Sequence, residues 1–237
     1  MIDLEKLVSN NTNYSRKEVK KLISQGLVSI NNQSILENLK INTGQDLIFI
    51  NNQEVYNDQF VYLVINKPKN YICANQDSWN NVIFELLDPK YRYIKGLHTV
   101  GRLDKDTTGL LLLTNDGAFS HNLLSPNKHI SKKYLVDTKN PLKIDLVTQF
   151  EQGIDIGEKK LTKPAKLEII DQYRAFLTIN EGKFHQVKRM FQKVDNEVIE
   201  LQRVSFGKLE LDQLNLQVGE YRELTKQEIE ILKNAKV

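Results

Sequence analysis

The first fifty residues of the chain show the hydrophobic spacing of short amphipathic helices. Apolar residues recur at i, i+3 and i+4 in residues 4–8, and again between Ser15 and Gly26. Ser15 and Glu18 have the spacing of a capping box, which predicts that the second helix begins there. Gly26 is typical of the residue that follows a helix C-terminus. Two helices are therefore predicted before residue 26.

Short strands are predicted after these helices. Val28–Ile30 alternates, Asn31-Asn32 supplies a turn, and Leu47–Ile50 forms a second short apolar run. Residues 51–59 are polar and show neither helical nor strand periodicity, so we interpret them as a linker. The predicted organisation is a small N-terminal domain at residues 1–50, a linker at 51–59, and a larger domain at 60–237.

The larger domain mixes strands and helices without regular alternation. Predicted strands cover 60–65, 71–74, 110–113, 132–136, 166–170, 174–179 and 197–206, and predicted helices cover 82–87, 118–124, 144–150, 185–194 and 225–233. Residues 71–74 are expected to pair with the first strand as a hairpin. The four leucines at 110–113 fit a buried strand or a very short buried helix. The pattern predicts an α+β fold with a mixed, mainly antiparallel sheet flanked by helices.

Composition changes this picture little. The chain has 33 basic and 30 acidic residues, so its net charge of +3 does not by itself indicate a nucleic-acid binder. The single cysteine, Cys73, excludes an internal disulfide. We find neither a signal peptide nor an apolar run of the roughly 18 residues that a membrane span needs. A soluble, cytoplasmic protein without a membrane partner is expected.

Candidate chemistry concentrates between Gly96 and Gly117. Arg102, Asp104 and Asp106 lie immediately before the leucine run, and charged residues rarely lie so close to a core unless they are paired or functional. The Asp-x-Asp-x-Thr spacing has a superficial likeness to the nucleophile motif of magnesium-dependent phosphatases of the haloacid dehalogenase type. The preceding residues fit a buried parallel strand poorly, and we find no later metal-binding pair, so that reaction is the weaker hypothesis.

The same stretch resembles another family over a longer span. G-R-L-D-x-x-T-x-G-L-L-L-L-T-N-D-G is similar to the central motif of the ribosomal-RNA pseudouridine synthases. Three further segments match motifs of that family: Asn66-Lys67-Pro68, Lys132-Lys133-Tyr134, and Glu181 to Met190. Leu161 to Ala165 and the His185-Gln186 form of the last motif resemble the small-subunit, RsuA-type branch most closely.

The resemblance implies an isomerase that needs no cofactor and no metal. It implies that Asp104 is the essential carboxylate, that Lys188 pairs with it, and that Tyr134 stacks on the target base. Arg189 is the second choice for the cation, and Asp106 is expected to support the site or to form a salt bridge with a nearby basic side chain. Arg102 would help to extrude the nucleotide, and His185 and Gln186 would line the RNA cleft. The four histidines, His98, His121, His129 and His185, show no metal-ligand spacing.

The N-terminal segment resembles the small RNA-binding domain named after ribosomal protein S4. That resemblance implies that a basic helix face contacts RNA, formed here by Arg16, Lys17, Lys20 and Lys21. Ile2 and the Asn31-Asn32 turn depart from the usual pattern of that domain. A solvated helix face is the alternative for these lysines, and a phosphate-binding face is the alternative for Lys188 and Arg189.

The expected partner is small-subunit ribosomal RNA, either naked or in a partly assembled particle, and a monomer is expected. The rival hypotheses are the same reaction on large-subunit RNA, an RNA-binding assembly factor that has lost catalysis, and the phosphatase.

Overall fold

The computed structural model describes residues 1–125, 128 and 130–234. The chain divides into two compact units. The first contains Met1–Tyr62, Phe84–His98 and Leu113–Gly117, and the second contains Leu63–Ile83, Thr99–Leu112 and the described chain from Ala118 onward. His129 lies outside the described residues.

The first unit contains the two predicted N-terminal helices, α1 (Leu4–Asn11) and α2 (Arg16–Ser24). The capping box at α2 is confirmed: the Ser15 hydroxyl accepts from the Glu18 amide, and the Glu18 carboxylate accepts from the Ser15 amide at 2.7 Å. Gly26 follows the helix with φ of +70°, as its C-terminal position requires. The short helix α3 (Pro89–Arg92) belongs to the same unit.

The small strands of this unit form two sheets. They are β1 (Ile2–Asp3), β2 (Val28–Ile30), β3 (Gln33–Ile35), β4 (Lys40–Ile41), β5 (Ile48–Ile50) and β6 (Gln53–Val55). Strand β1 pairs with β4, and the others form an antiparallel sheet in the order β3-β2-β5-β6. Apolar residues of α1, α2 and these strands make up the core of the unit.

Strand β6 corrects the interpretation of residues 51–59 as a linker. Asn51 and Asn52 both have positive φ, 48° and 64°, which is the geometry of a two-residue hairpin turn. The hairpin adds Gln53–Val55 to the sheet. Only Val55 of these three residues is buried, so hydrophobic periodicity could not reveal an edge strand this short.

The remaining strands are β7 (Tyr62–Lys67), β8 (Tyr71–Ile72), β9 (Asn81–Val82), β10 (His98–Thr99), β11 (Thr108–Thr114), β12 (Lys132–Thr138), β13 (Lys166–Ile169), β14 (Arg174–Ile179), β15 (Val198–Phe206), β16 (Leu209–Glu210) and β17 (Tyr221–Glu223). Nine of them form one sheet, in the order β13-β14-β12-β15-β11-β7-β17, with β10 on β11 and β16 on β15. Strands β11 and β15 are parallel, whereas β12, β13 and β14 pair antiparallel. The predicted α+β class with a mixed sheet is confirmed.

Two local predictions around Pro68 to Pro89 were wrong. Strand β8 pairs in parallel with β9 and does not form a hairpin with β7. The expected helix at 82–87 is a single tight turn, Ile83–Leu86, and Pro89 begins helix α3 instead of merely ending the preceding one. Proline suits the first turn of a helix because its missing N–H would have no intrahelical acceptor there.

The leucine run is a strand, β11, and every residue from Gly109 to Thr114 is buried. Gly109 has φ of +100° and lies opposite Arg203 of β15. A Cβ at Gly109 would come within 2.3 Å of the Arg203 carbonyl oxygen. Glycine is therefore required for β11 and β15 to approach each other.

Strand β15 contains a bulge that determines which of its side chains face together. Lys133 pairs with Ser205, but the next residue, Tyr134, pairs with Arg203, so Val204 has no partner across the strand pair. The extra residue brings Arg203 and Phe206 to the same face although they are three positions apart. The Arg203 guanidinium carbon lies 5.3 Å from the centre of the Phe206 ring.

The other helices are α4 (Gly117–Leu124), α5 (Asp145–Gln152), α6 (Gln186–Lys193) and α7 (Lys226–Lys233). Each confirms a predicted helix with bounds shifted by one or two residues. Thr225 and Glu228 form the second capping box, at α7. In the part of the chain that the structure describes, no helix is long and apolar enough to cross a membrane.

Candidate active site

Asp104 lies in the loop that joins β10 to β11. The Thr107 amide donates to the Asp104 carbonyl at 3.1 Å, which closes a tight turn directly before the buried strand. The Asp104 side chain is 29 % exposed and lines a pocket of about 660 Å³. Arg102, Tyr134 and His185 line the same pocket. The structure thus brings four of the predicted site residues to one cavity.

Lys67 holds the loop that carries Asp104. Its side chain is fully buried, and its ammonium group donates to the carbonyls of Pro68 at 3.0 Å, Lys105 at 3.3 Å and Thr107 at 2.8 Å. Burial lowers the pKa of Lys67, while the negative charges of Asp106 and Asp104 act in the opposite direction. The Asn-Lys-Pro segment noted in the sequence therefore fixes the backbone on either side of Asp106.

Helix α6 brings two side chains to Asp104. His185 is the N-cap residue of the helix, and its Nε2 lies 3.4 Å from Asp104 Oδ1. Lys188 is three residues further on, on the same helical face, and its Nζ lies 3.8 Å from Asp104 Oδ2. The predicted meeting of Asp104 and Lys188 is thus present as a long ion pair.

The shorter contacts of Lys188 are with Asp106, at 2.6 and 2.7 Å from its two carboxylate oxygens. Burial acts to raise the pKa of Asp106, but the hydrogen bond and the positive charge of Lys188 outweigh it and hold this pKa below its usual value. The Asp106 side chain is 66 % exposed. Lys188 therefore bridges an exposed carboxylate and the more protected Asp104, and Asp106 has the salt-bridge role expected for it.

Tyr134 projects from β12 at the pocket floor. It is 9 % exposed and lies opposite Arg203 in the strand pair with β15. A largely buried ring whose edge reaches a cavity offers a flat apolar surface to a planar base.

The rim of the pocket is aromatic and basic. Arg102 is exposed on the loop, and Phe184 is 68 % exposed. The Phe184 ring stacks on the His185 imidazole, with ring centres 3.8 Å apart and planes 20° apart. His185 adopts the left-handed conformation, φ of 49°, which directs the chain from the loop into α6.

Comparison with known proteins identifies the family of the chain. Residues 61–193 match the family model described as RNA pseudouridylate synthase. The chain belongs to this family. It is 40% identical to the ribosomal small subunit pseudouridine synthase A of Haemophilus influenzae over 97% of this chain and 98% of the relative. The corresponding protein of Yersinia pestis is 48% identical over 71% of each chain.

A solved structure supports the same assignment. A crystal structure of a pseudouridylate synthase superposes with a TM-score of 0.69 at 40% identity, covering 98% of this chain and 100% of the other. The match extends over both compact units. The resemblance inferred from the Gly96–Gly117 stretch is thereby confirmed.

Two side chains of the pseudouridylate synthase motif at 181–190 are placed differently from the expectation. Gln186 is 4 % exposed; its amide donates to Glu181 at 2.9 Å and accepts from the Lys183 amide at 2.9 Å. It braces the loop before α6, and the expectation that it lines the RNA cleft stays a prediction.

Arg189 is likewise held within the protein. Its guanidinium forms an ion pair with Glu158 at 3.0 Å and donates to the carbonyls of Phe184 and Ile156. Because three internal acceptors share this group, Arg189 anchors α6, and its contact with RNA stays a prediction. Lys188, and not Arg189, is the cation that the structure places beside Asp104.

Sequence reasoning missed two cations of the pocket, Lys132 and Arg203. Both line it beside Tyr134 and are largely buried, 9 % and 3 % exposed. Lys132 belongs to the Lys-x-Tyr segment, and period-two alternation places it on the Tyr134 face. Arg203 has no comparable signal, because the bulge at Val204 breaks the alternation that would have oriented it.

The family match excludes the phosphatase hypothesis. Lys188 forms ion pairs with both Asp104 and Asp106, the two carboxylates of the motif that suggested it. Within residues 1–125, 128 and 130–234, no three His, Cys, Asp or Glu side chains are grouped to hold a metal ion.

Proposed function

We propose that this protein isomerises one uridine of small-subunit ribosomal RNA to pseudouridine without a cofactor. The observation that carries the proposal is Asp104, held in a tight turn inside a pocket, with Lys188 and His185 beside it and Tyr134 on the floor. The whole-length similarity to a small-subunit enzyme supports the choice of RNA.

Asp104 acts on the ribose or the base of the target nucleotide. It either forms a covalent bond to the nucleotide or removes a sugar proton, and both roles need an ionised carboxylate shielded from water. Lys188 stabilises the negative charge of Asp104, and Asp106 fixes the position of Lys188 from the solvent side. Lys67 positions Asp104 through the backbone of its loop.

Tyr134 stacks on the uracil ring, and Arg102 at the rim occupies the space that the nucleotide leaves in the RNA when it is extruded. Extrusion is required because a nucleotide that stays stacked in the RNA cannot enter the pocket and bring its glycosidic bond to Asp104. His185, with Phe184 stacked on it, contacts the flanking nucleotides.

The N-terminal module binds RNA independently of the chemistry. We assign residues 1–55 to an S4-like domain, which extends the sequence-based boundary of 50 to include β6, and the catalytic domain to residues 60–237. Arg16, Lys17, Lys20 and Lys21 are all exposed on α2 and supply the phosphate contacts. The protein acts as a cytoplasmic monomer on ribosomal RNA or on a partly assembled particle.

The test uses purified protein and an unmodified small-subunit RNA transcript without added metal. Pseudouridine is mapped by carbodiimide modification and primer extension. Wild-type protein should produce one strong stop, and Asp104→Asn should produce none while it binds RNA with similar affinity. Binding without any stop would instead favour an assembly factor. Stops only in large-subunit RNA would show that large-subunit RNA is the substrate.

A further inference from the structure

The pocket contains two buried cations whose role the reaction residues above do not explain. The Arg203 guanidinium donates through Nε to the Leu110 carbonyl at 2.7 Å. Its Nη2 is buried and finds no hydrogen-bond partner among the described residues. A buried N–H of a charged group that lacks an acceptor destabilises the folded protein, because its desolvation is not compensated. Such a group indicates that a ligand supplies the missing acceptor.

Lys132 also lies close to the Phe206 ring and lines the same pocket as this guanidinium. Its Nζ is 5.5 Å from the ring centre, compared with 5.3 Å for the guanidinium carbon of Arg203. Burial, and then the positive charges of Arg203 and Lys163, lower the pKa of Lys132 to about 8. Two cations held together in a partly dry pocket favour an anion between or beside them.

The strand register indicates which part of the RNA meets these cations. Arg203 is the cross-strand partner of Tyr134, and Lys132 is two residues before Tyr134 on the same face of β12. Both groups are therefore next to the ring on which the base is proposed to stack. RNA phosphates are bulky and remain partly hydrated, which suits the exposed rim at Arg102 better than this floor.

We propose that Arg203 and Lys132 bind the carbonyl edge of the target uracil and stabilise the negative charge that the base carries during isomerisation. This inference rests on the proposed function. When the bond from the ribose C1′ to N1 breaks, its electron pair stays with uracil, whose charge spreads over N1, O2 and O4. The ribose is meanwhile bonded to Asp104 or has lost a proton to it.

The second half of the reaction removes that charge again. C5 of the rotated uracil forms the new bond to C1′ while the bond from C1′ to Asp104 breaks, or while Asp104 returns its proton to the sugar. The C5 proton then leaves and N1 gains a proton, so the base is neutral, Asp104 is again a carboxylate, and atoms balance. Donors aimed at the carbonyl oxygens therefore contribute most while the base is detached. Attack of Asp104 on the base would also place negative charge on a uracil oxygen, so the role of the two cations does not depend on the route.

The test measures single-turnover pseudouridine formation over a range of protein concentrations, with the small-subunit transcript as substrate. Arg203→Gln and Lys132→Met should each lower the saturating rate by roughly 10²-fold. Their half-saturating concentrations should stay within about threefold of wild type, because base binding contributes little to total RNA affinity. Lys133→Met is the matched control, since Lys133 lies over the Phe176 ring and near Glu168, away from the pocket. It should leave the rate unchanged.

A second substrate distinguishes the uracil from a phosphate. A short RNA containing the mapped target is prepared with neutral methylphosphonates on both sides of the target nucleotide. The proposal requires the same fold loss for Arg203→Gln on this RNA as on the natural backbone. A loss that disappears with the neutral backbone would assign the cations to a phosphate and overturn the proposal.

The proposal would also be overturned if Arg203→Gln and Lys132→Met formed pseudouridine at the same rate as Lys133→Met. If Arg203→Gln does not fold, because the bond to Leu110 is lost, Lys132→Met decides alone. Absence of pseudouridine with the wild-type protein is a different result, which refutes the proposed function itself.

Discussion

The molecule places basic side chains in two contrasting environments. The four cations of α2 are exposed on a small helical unit, whereas Lys132 and Arg203 are buried on a sheet face beside Tyr134. Exposed charges interact through a high-dielectric, salt-screened medium, so each contributes modestly and additively to the attraction of RNA. Buried cations act over short distances in a poorly screened pocket, where their geometry decides the rate of a reaction.

The difference also explains why the net charge of +3 is uninformative. Acidic residues nearly equal the basic ones in number, so function depends on where individual cations lie and not on their total. Lys188 is intermediate between the two groups, because it is 28 % exposed and contacts both Asp104 and Asp106. It offers the sharpest way to test the contrast.

Replacing Lys188 should cause the largest loss among these cations. Lys188→Met leaves Asp104 without its ammonium neighbour, so we expect the saturating rate to fall by roughly 10²–10³-fold. Asp106→Asn should reduce it less than about tenfold, since Asp106 is exposed and acts through Lys188. Single-turnover assays measure both. Equal losses in the two variants would show that the Lys188–Asp106 pair works as one unit.

Neutralising the four exposed cations of α2 should weaken RNA binding and leave the rate of pseudouridine formation unchanged. A variant with Arg16, Lys17, Lys20 and Lys21 changed to Gln should bind the RNA transcript roughly ten- to hundredfold more weakly, with a shallower salt dependence. Its rate at saturating protein should match wild type. Filter binding at several salt concentrations gives the slope.

A control for that variant changes four exposed lysines outside α2 to Gln: Lys143, Lys160, Lys208 and Lys226. It has the same loss of net charge and should bind RNA better than the α2 variant. Similar affinities would mean that overall charge, and not the α2 surface, attracts the RNA.

Raising the pH through the pKa of Lys132 should lower the rate of the reaction. Lys132 is protonated below its pKa of about 8, so kcat/KM should fall as pH rises from 7 to 9.5, by roughly tenfold at the upper end. Lys132→Arg keeps its charge throughout this range and should flatten the decline. A decline of the same size in both proteins would assign it to another group.

Destabilising helix α2, which carries the four exposed cations, should have the smallest effect on RNA binding. Ser15→Ala removes a capping box at α2 and should lower the free energy of unfolding by about 1 kcal/mol, as seen in urea denaturation. RNA affinity should fall by less than about threefold, since the charges remain. Thr225→Ala removes the equivalent box at α7 and serves as a comparison. A larger loss of RNA affinity with Ser15→Ala alone would show that α2 must be rigid to bind.

Much of the fold was accessible from local patterns. Capping residues located α2, the leucine run located β11, and the motif around Asp104 led to the family. The short β6 strand was not accessible, because one buried valine in three residues gives no period. The pairing of β8 was also missed, since a strand of two residues has no pattern that identifies its partner strand.

The site was only partly predictable for a related reason. The family resemblance implied that Lys188 lies near Asp104, but it could not show that Asp106 takes the shorter contact. Gln186 and Arg189 looked like RNA ligands because polar residues near a basic motif usually face solvent. Internal acceptors, Glu181 for one and Glu158 for the other, come from loops that no local pattern connects to α6.

Val204 has no partner in β12, so the number of residues in β15 decides whether Arg203 faces the pocket. Deleting this one residue would leave the hydrophobic composition of β15 almost unchanged, and the hydrogen-bonded ladder with β12 could still form. The residues before the deletion would, however, turn to the opposite face of the sheet, which would take the Arg203 guanidinium out of the pocket. A homologue with one residue fewer at this point would need a cation from another position, so an alignment gap here would mark a change in reaction machinery even where every named motif is intact.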